Sequence, residues 1–234
     1  MKLLNFIPHL LTLSNLFFGC IAVVYGVVGD FEKLALFVSL GLICDFFDGF
    51  FARLLKVDSK LGIQLDSLSD LVTFGMTSSI VMLNLIGNSS FVIENSSSFL
   101  VSLIPYIAFL ITLSSSFRLA KFNISDISTD FKGLPTPANA IFIVFLPEFI
   151  EYFQLETIFE NIFILLVIVC LSSFLLISNL NMFSLKIKNL RFNQNKALYV
   201  LFFSSVILFA SIGLSSLTII ITIYIILNLL RIVV

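Results

Sequence analysis

The chain has 234 residues, of which 59% are hydrophobic and only 12% charged, and its mean hydropathy is +1.13. A water-soluble domain carries about 25% charged residues, so this composition excludes an ordinary soluble enzyme and points to lipid as the solvent. A formal net charge of −1 gives no reason to expect a nucleic-acid partner.

Apolar stretches of about 20 residues, enough to cross a bilayer, recur from one end to the other. In chain order they predict eight spans: 9–28, 34–54, 64–87, 99–120, 134–152, 158–181, 197–212 and 214–233. The expected architecture is an all-α polytopic bundle. No linker, repeat or low-complexity segment divides it, so residues 1–234 are expected to form a single transmembrane domain. The opening MKLLNFIPHLLTLSNLFFGC has the outline of a signal peptide ending at Cys20. The apolar run continues to Val28, however, and only Lys2 precedes it, which favours a first membrane span. Cys20, Cys44 and Cys170 all fall within predicted spans and form no CxxC pair, so they are expected to be packing residues.

Eight spans with the N-terminus inside place segments 1–8, 55–63, 121–133, 182–196 and the C-terminal end on one face. With the adjoining helix ends, these hold twelve of the thirteen basic residues: Lys2, Arg53, Lys56, Lys60, Arg118, Lys121, Lys132, Lys186, Lys188, Arg191, Lys196 and Arg231. Only Lys33 falls on the other face, which carries Asp30, Glu32, Glu94, Glu148, Glu151, Glu156 and Glu160. The positive-inside rule then predicts an inner-membrane protein with both termini in the cytoplasm.

Residues 45–70 break the apolar pattern: DFFDGFFARLLKVDSKLGIQLDSLSD. Asp45, Asp48, Asp66 and Asp70 lie within or at the ends of predicted spans. Each ionised side chain at membrane depth costs about 2.5–3.5 kcal/mol on insertion scales, so four together need a compensating charge. Asp45, Asp48, Gly49 and Ala52 occupy one stripe of a helix, and Gly62, Asp66 and Asp70 another. The short connection at 55–63 makes the two helices antiparallel neighbours, which lets the four carboxylates converge near the cytoplasmic face. Oxygen-only ligands select hard divalent cations, and four carboxylates suffice for a two-metal site that works by displacement at phosphorus. Gly49, Ala52 and Gly62 leave room for a ligand to approach the backbone. Two readings stay open on these grounds: metal-dependent phosphoryl chemistry, or an ion or proton path lined by carboxylates.

The same segment matches D-x2-D-G-x2-A-R-x8-G-x3-D-x3-D at Asp45, Asp48, Gly49, Ala52, Arg53, Gly62, Asp66 and Asp70. This resembles the signature of the CDP-alcohol phosphatidyltransferase family. The resemblance implies a six-helix membrane core, a homodimer, a site facing the cytoplasm and two divalent metals, Mg²⁺ or Mn²⁺, on the diphosphate of a CDP-linked donor. It further implies Asp45, Asp48 and Asp66 as metal ligands and Asp70 as ligand and general base. Gly49, Ala52, Arg53 and Gly62 would line the CDP pocket, with Asp66 touching both metal and nucleotide.

Two other stretches resemble the branch of that family that uses serine as acceptor. One is IPHLLTLSNLFFGC (7–20), with His9 where the branch usually has Asn. The other is FRLAKFN (117–123) followed by FKGLPTPANA (131–140), with Lys121 in place of Arg. The likeness runs from residue 7 to 140, and the helices of 158–234 add almost nothing to it. It implies CDP-diacylglycerol and L-serine as substrates. Thr12 and Asn15 are candidates to face the CDP group. Arg118 could receive the serine carboxylate bidentately, and Lys121, Asn123 and Lys132 are weaker candidates for acceptor contacts. An acceptor carrying a phosphate, such as glycerol 3-phosphate or inositol phosphate, would need a denser basic pocket. A phospho-histidine route through paired His-x-K motifs is disfavoured, because His9 is the single histidine and no lysine follows it at that spacing.

Overall fold

In the computed structural model, residues 6–56, 59–124, 131–182 and 196–230 are described. The N-terminal half is three long rods. Helix α1 (Ile7–Val27) carries Pro8 in its first turn, where the missing N–H costs nothing. Helix α2 (Phe31–Leu55) is capped by Asp30, whose carboxylate accepts the Lys33 amide at 3.0 Å. Its Oδ2 also meets Lys33 Nζ at 2.6 Å, which neutralises the one basic residue predicted on the acidic face. Helix α3 (Lys60–Asp70) is capped by Ser59 and runs through a π-helical turn, Leu71–Met76, into α4 (Thr77–Gly87).

Small residues set how closely these rods approach. Thr73 fills a notch between Gly19 of α1 and Gly41 of α2; a Cβ on Gly41 would stand 2.6 Å from its methyl group. The Thr73 hydroxyl donates to the Asn15 carbonyl at 3.0 Å. Higher up, Leu34 and Ile80 occupy the space beside Gly26. With three backbones this close, side chains one or two turns toward the 55–63 connection are forced to meet.

Short helices α5 (Ser90–Glu94) and α6 (Phe99–Ser102) and a 3-10 segment (Ile104–Phe109) lead into α7 (Leu110–Ile124). The chain then forms a two-residue strand β1 (Phe131–Lys132), helices α8 (Thr136–Val144), α9 (Leu146–Tyr152), α10 (Glu156–Phe159) and α11 (Ile162–Ile177), and strand β2 (Asn181–Met182). Helices α12 (Lys196–Ile212) and α13 (Ser216–Leu229) follow, separated by a 3-10 turn at Gly213 with φ +60°. The core surrounds α4: Phe74, Val81, Met82 and Ile86 pack with Ala108, Ile111, Ala140, Ile143, Leu165 and Val169.

The expected all-α membrane bundle is observed, with the β1–β2 pairing as a small exception. The expected count of eight spans is not confirmed. Among the described residues five helical stretches are long and apolar enough to cross: 7–27, 31–55, 60–87, 99–124 and 198–229. Helix α11, at 16 residues, is a shorter sixth. The predicted span 134–152 is two short helices divided at Phe145, where Pro147 has no N–H to continue the ladder. Predicted spans 197–212 and 214–233 correspond to α12 and α13, joined through the Gly213 turn. The cysteines are all free.

Contacts among the described residues group several loops at each end of the bundle. Phe131 pairs with Met182 and Lys132 with Asn181. Gly133, at φ +74°, lies so close to the end of α11 that a Cβ would stand 2.7 Å from the Leu176 carbonyl. Lys121 Nζ reaches Asn179 Oδ1 at 2.9 Å, and Asn123 reaches Ser67. The segments around 59, 124, 131 and 181 therefore share one end of the bundle. At the other end Ser90 bonds the Glu160 carbonyl and Ser215 the Glu148 carbonyl. Lys2, Lys186, Lys188, Arg191 and Arg231 lie outside the described residues.

Candidate active site

Asp45, Asp48 and Asp66 each offer a carboxylate oxygen within 4.8 Å of the others. Asp70, one turn beyond Asp66 on α3, lies within electrostatic reach of Asp45 and Asp66, so all four aspartates of the sequence pattern gather at one end of α2 and α3. Asp48 and Asp70 are buried, at 6% and 8% exposure, and Asp45 and Asp66 are half-buried. Among the described residues none of the four forms an ion pair, and Asp70 Oδ1 is buried without a hydrogen-bond partner. Buried like charges without a cation repel one another, so the donor set, with its orphaned Asp70 oxygen, fits a hard divalent ion.

The cluster is braced from α1. The Thr12 hydroxyl lies 2.6 Å from Asp48 Oδ2 and 3.0 Å from the Pro8 carbonyl, and its single proton is shared between them. Buried Ser69 donates to the Thr12 carbonyl at 3.0 Å, which locks α3 against α1 between Asp66 and Asp70. Thr12 is thus a support for an aspartate. Asn15, one turn deeper, is fully buried with neither amide atom partnered, and its Oδ1 lies against Gly41; no part of it opens to a ligand from solvent. The π turn directly after Asp70 re-aims the chain at the site, a position where such turns often occur.

The small residues of the pattern are there for definite neighbours. Arg53 is exposed and folds back along its own helix, so its guanidinium nitrogen would stand 3.5 Å from a Cβ on Gly49. Ala52 is half-buried on the same stretch. Gly62 faces His9: a Cβ there would stand 2.9 Å from His9 Cε1. Ser59 Oγ accepts the Gly62 amide at 2.9 Å and lies 3.3 Å from His9 Nε2. Gly62→Ala is therefore expected to be destabilising by about 1–3 kcal/mol, the usual cost of overpacking. His9→Ala in the same chain should recover most of that loss. Thermal unfolding in detergent measures both; a double variant no more stable than Gly62→Ala alone would rule out the steric account.

Arg118, half-buried on α7, lies within electrostatic reach of Asp70. Its Nη1 donates to Thr136 Oγ1 at 3.0 Å, while Nε is buried without a partner. The other acceptor candidates have other partners. Lys121 is exposed and tied to Asn179. Asn123 is engaged by Ser67 and by Gln64, where it holds α7 to α3. Of Lys132 only the backbone pairing is described. Thr136, Ser69, Ser59 and Tyr224 were not singled out from the sequence. For Ser69 and Thr136 the available signal was a buried hydroxyl beside a site residue on a helix.

The match to known proteins agrees with this geometry. A model of the CDP-alcohol phosphatidyltransferase family matches residues 5–172. A CDP-diacylglycerol–serine O-phosphatidyltransferase of Helicobacter pylori (strain ATCC 700392 / 26695) is 30% identical over 204 residues, covering 86% of this chain and 80% of the relative. The enzyme of that name from Bacillus subtilis is 34% identical over 149 residues, 61% of this chain and 76% of its own. One from Methanocaldococcus jannaschii is 28% identical over 162 residues, 69% of this chain and 70% of its own.

Proposed function

Because the chain belongs to the CDP-alcohol phosphatidyltransferase family, we propose that it transfers the phosphatidyl group of CDP-diacylglycerol to L-serine, giving phosphatidylserine and CMP. Family membership also favours transfer chemistry over the ion path that the aspartates alone left open. The observation that carries the reading is the convergence of Asp45, Asp48 and Asp66, with Asp70 alongside. Serine as acceptor is supported by the names of the relatives and by Arg118, whose unpartnered Nε suits a carboxylate.

Asp45, Asp48, Asp66 and Asp70 would hold two divalent cations, Mg²⁺ or Mn²⁺. Bound there, the ions would neutralise charge on the diphosphate and on the departing CMP oxygen. The protein's own groups do the rest. Arg53 and the half-buried face of Gly49, Ala52 and Gly62 receive the nucleotide. Arg118 orients the acceptor so that its hydroxyl oxygen attacks the phosphorus bearing diacylglycerol. That bond forms as the bond to CMP breaks, and Asp70 takes the hydroxyl proton. The basic residues at the aspartate end of the bundle support a cytoplasmic orientation in the inner membrane, and the family resemblance supports a homodimer.

Purified protein in detergent, given CDP-diacylglycerol and Mn²⁺ or Mg²⁺ with one acceptor at a time, should release CMP with serine and not with glycerol 3-phosphate. Faster release with glycerol 3-phosphate would overturn the acceptor assignment and leave the family intact.

A further inference from the structure

Three elements meet directly behind Asp70. Helix α7 runs antiparallel to the rod made by α3, the π turn and α4, and their register is fixed at two points. A Cβ on Gly75 would stand 3.0 Å from Ser115 Cβ, and Asn123 Nδ2 reaches Ser67 Oγ at 2.9 Å. Residue 118 lies between these points and shares a helix face with Ser115. Arg118 is therefore level with the start of the π turn, the residues that follow Asp70. Helix α8 packs on the same turn, and its first residue, Thr136, accepts from Arg118 Nη1 at 3.0 Å.

Thr136 is fixed by contacts that do not involve Arg118. It is only 1% exposed. The segment leading to it is stapled to the end of α11: the Gly133 amide donates to the Leu180 carbonyl at 2.8 Å, and the Leu134 amide to the Leu175 carbonyl at 2.9 Å. Leu134 is buried with Met182, Leu201 and Tyr224. Pro135 and Pro137 restrict the backbone on both sides. The arginine, by contrast, sits on a long side chain and forms no ion pair among the described residues. Thr136 is the one described residue that its guanidinium hydrogen-bonds.

A guanidinium takes a carboxylate on two parallel N–H groups. With Nη1 committed to Thr136, the edge that remains is Nε with Nη2, and Nε is buried without an acceptor. A buried donor left unpaired is costly, and a carboxylate on this edge would remove that cost. The guanidinium is rigid and planar, so holding one nitrogen aims the opposite edge.

We propose that Thr136 is a positioning residue for the acceptor: its hydroxyl holds Arg118 Nη1 and so presets the Nε–Nη2 edge for the acceptor's carboxylate. This rests on the serine reading given above. Serine then meets a fork already ordered by α8 and need not order one.

Thr136→Val keeps the shape and removes the hydroxyl. It is expected to raise KM for serine about tenfold, the worth of one hydrogen bond to a charged group, with kcat within about threefold and donor affinity unchanged. Thr136→Ser restores the hydroxyl and should bring KM back to within about threefold of wild type. Arg118→Lys should raise KM at least as much as Thr136→Val, and adding Thr136→Val to it should raise KM no further, because the two act through one contact. An unmoved KM in Thr136→Val beside a raised one in Arg118→Lys would overturn the inference and leave serine as acceptor. So would a further loss in the double variant, or equal losses of serine and donor affinity in Thr136→Val, which would mark a packing role. Wild-type protein that releases no CMP with serine would defeat the acceptor reading itself and this inference with it.

Discussion

Asp48→Asn is expected to lower CMP release by ~10³-fold or more, the equivalent of losing about 4 kcal/mol of the charge stabilisation that a bound cation supplies. Asp48 is the most deeply placed of the three carboxylates that lie within 4.8 Å of one another, and the only one held by a hydroxyl from α1. An amide keeps the shape and accepts from Thr12, but it gives up the charge and one good ligand oxygen. A second readout separates lost metal from lost fold. Without metal the four carboxylates oppose one another, so removing one charge should leave the midpoint of thermal unfolding in EDTA unchanged or raised. Added Mn²⁺ should raise the midpoint of the wild type, because a ligand that binds only the folded state stabilises it, and should raise that of Asp48→Asn far less. Thr12→Val is the milder companion. It removes a support and no ligand, and should weaken metal affinity by about 10- to 100-fold, as such outer contacts usually do. Normal turnover with normal metal dependence in Asp48→Asn would exclude the aspartates as the metal site.

The aspartates could be read from the sequence because their meaning is local. Helical spacing put Asp45 with Asp48 and Asp66 with Asp70, and a short connection made the two helices neighbours. Composition likewise announced a membrane bundle. Features that depend on contacts distant in sequence could not be read in the same way. Thr12 meets Asp48 across 36 positions, and a threonine in a membrane helix has many possible partners. The span boundaries are less legible for a different reason. A uniformly apolar run shows no periodic break, so 134–152 reads as one span although Pro147 divides it. In the C-terminal run the break falls at Gly213, where a 3-10 turn separates α12 from α13. Nothing in 71–76 announces a π turn. It follows from seating Thr73 between Gly19 and Gly41 while Gly75 lies against Ser115.

Asp70→Asn is expected to separate chemistry from binding: donor affinity within a few fold of wild type, and a transfer rate lower by roughly 10²–10⁴, the usual span for losing a general base. A proton must leave the acceptor hydroxyl, and the single histidine, His9, lies against Gly62 and Ser59 at the start of α3, about two helical turns along the chain from Asp70. Asp70 is one turn beyond Asp66 and stands outside the tight trio. Its Oδ1 is unpartnered, and it is the aspartate within electrostatic reach of Arg118, where the acceptor is proposed to bind. That position lets one carboxylate share a cation with Asp45 and still face the attacking oxygen. A carboxylate beside a cation is a weak base, which is tolerable where the transition state is loose and the proton moves late. Isothermal titration with CDP-diacylglycerol in Mn²⁺ gives the affinity, and single-turnover CMP release gives the rate. Donor affinity falling in step with the rate would make Asp70 a metal ligand only. With no histidine in reach, the proton would then have to pass to another of the clustered carboxylates or to water, and Asp66→Asn, assayed in the same two ways, would be the next variant to separate those routes.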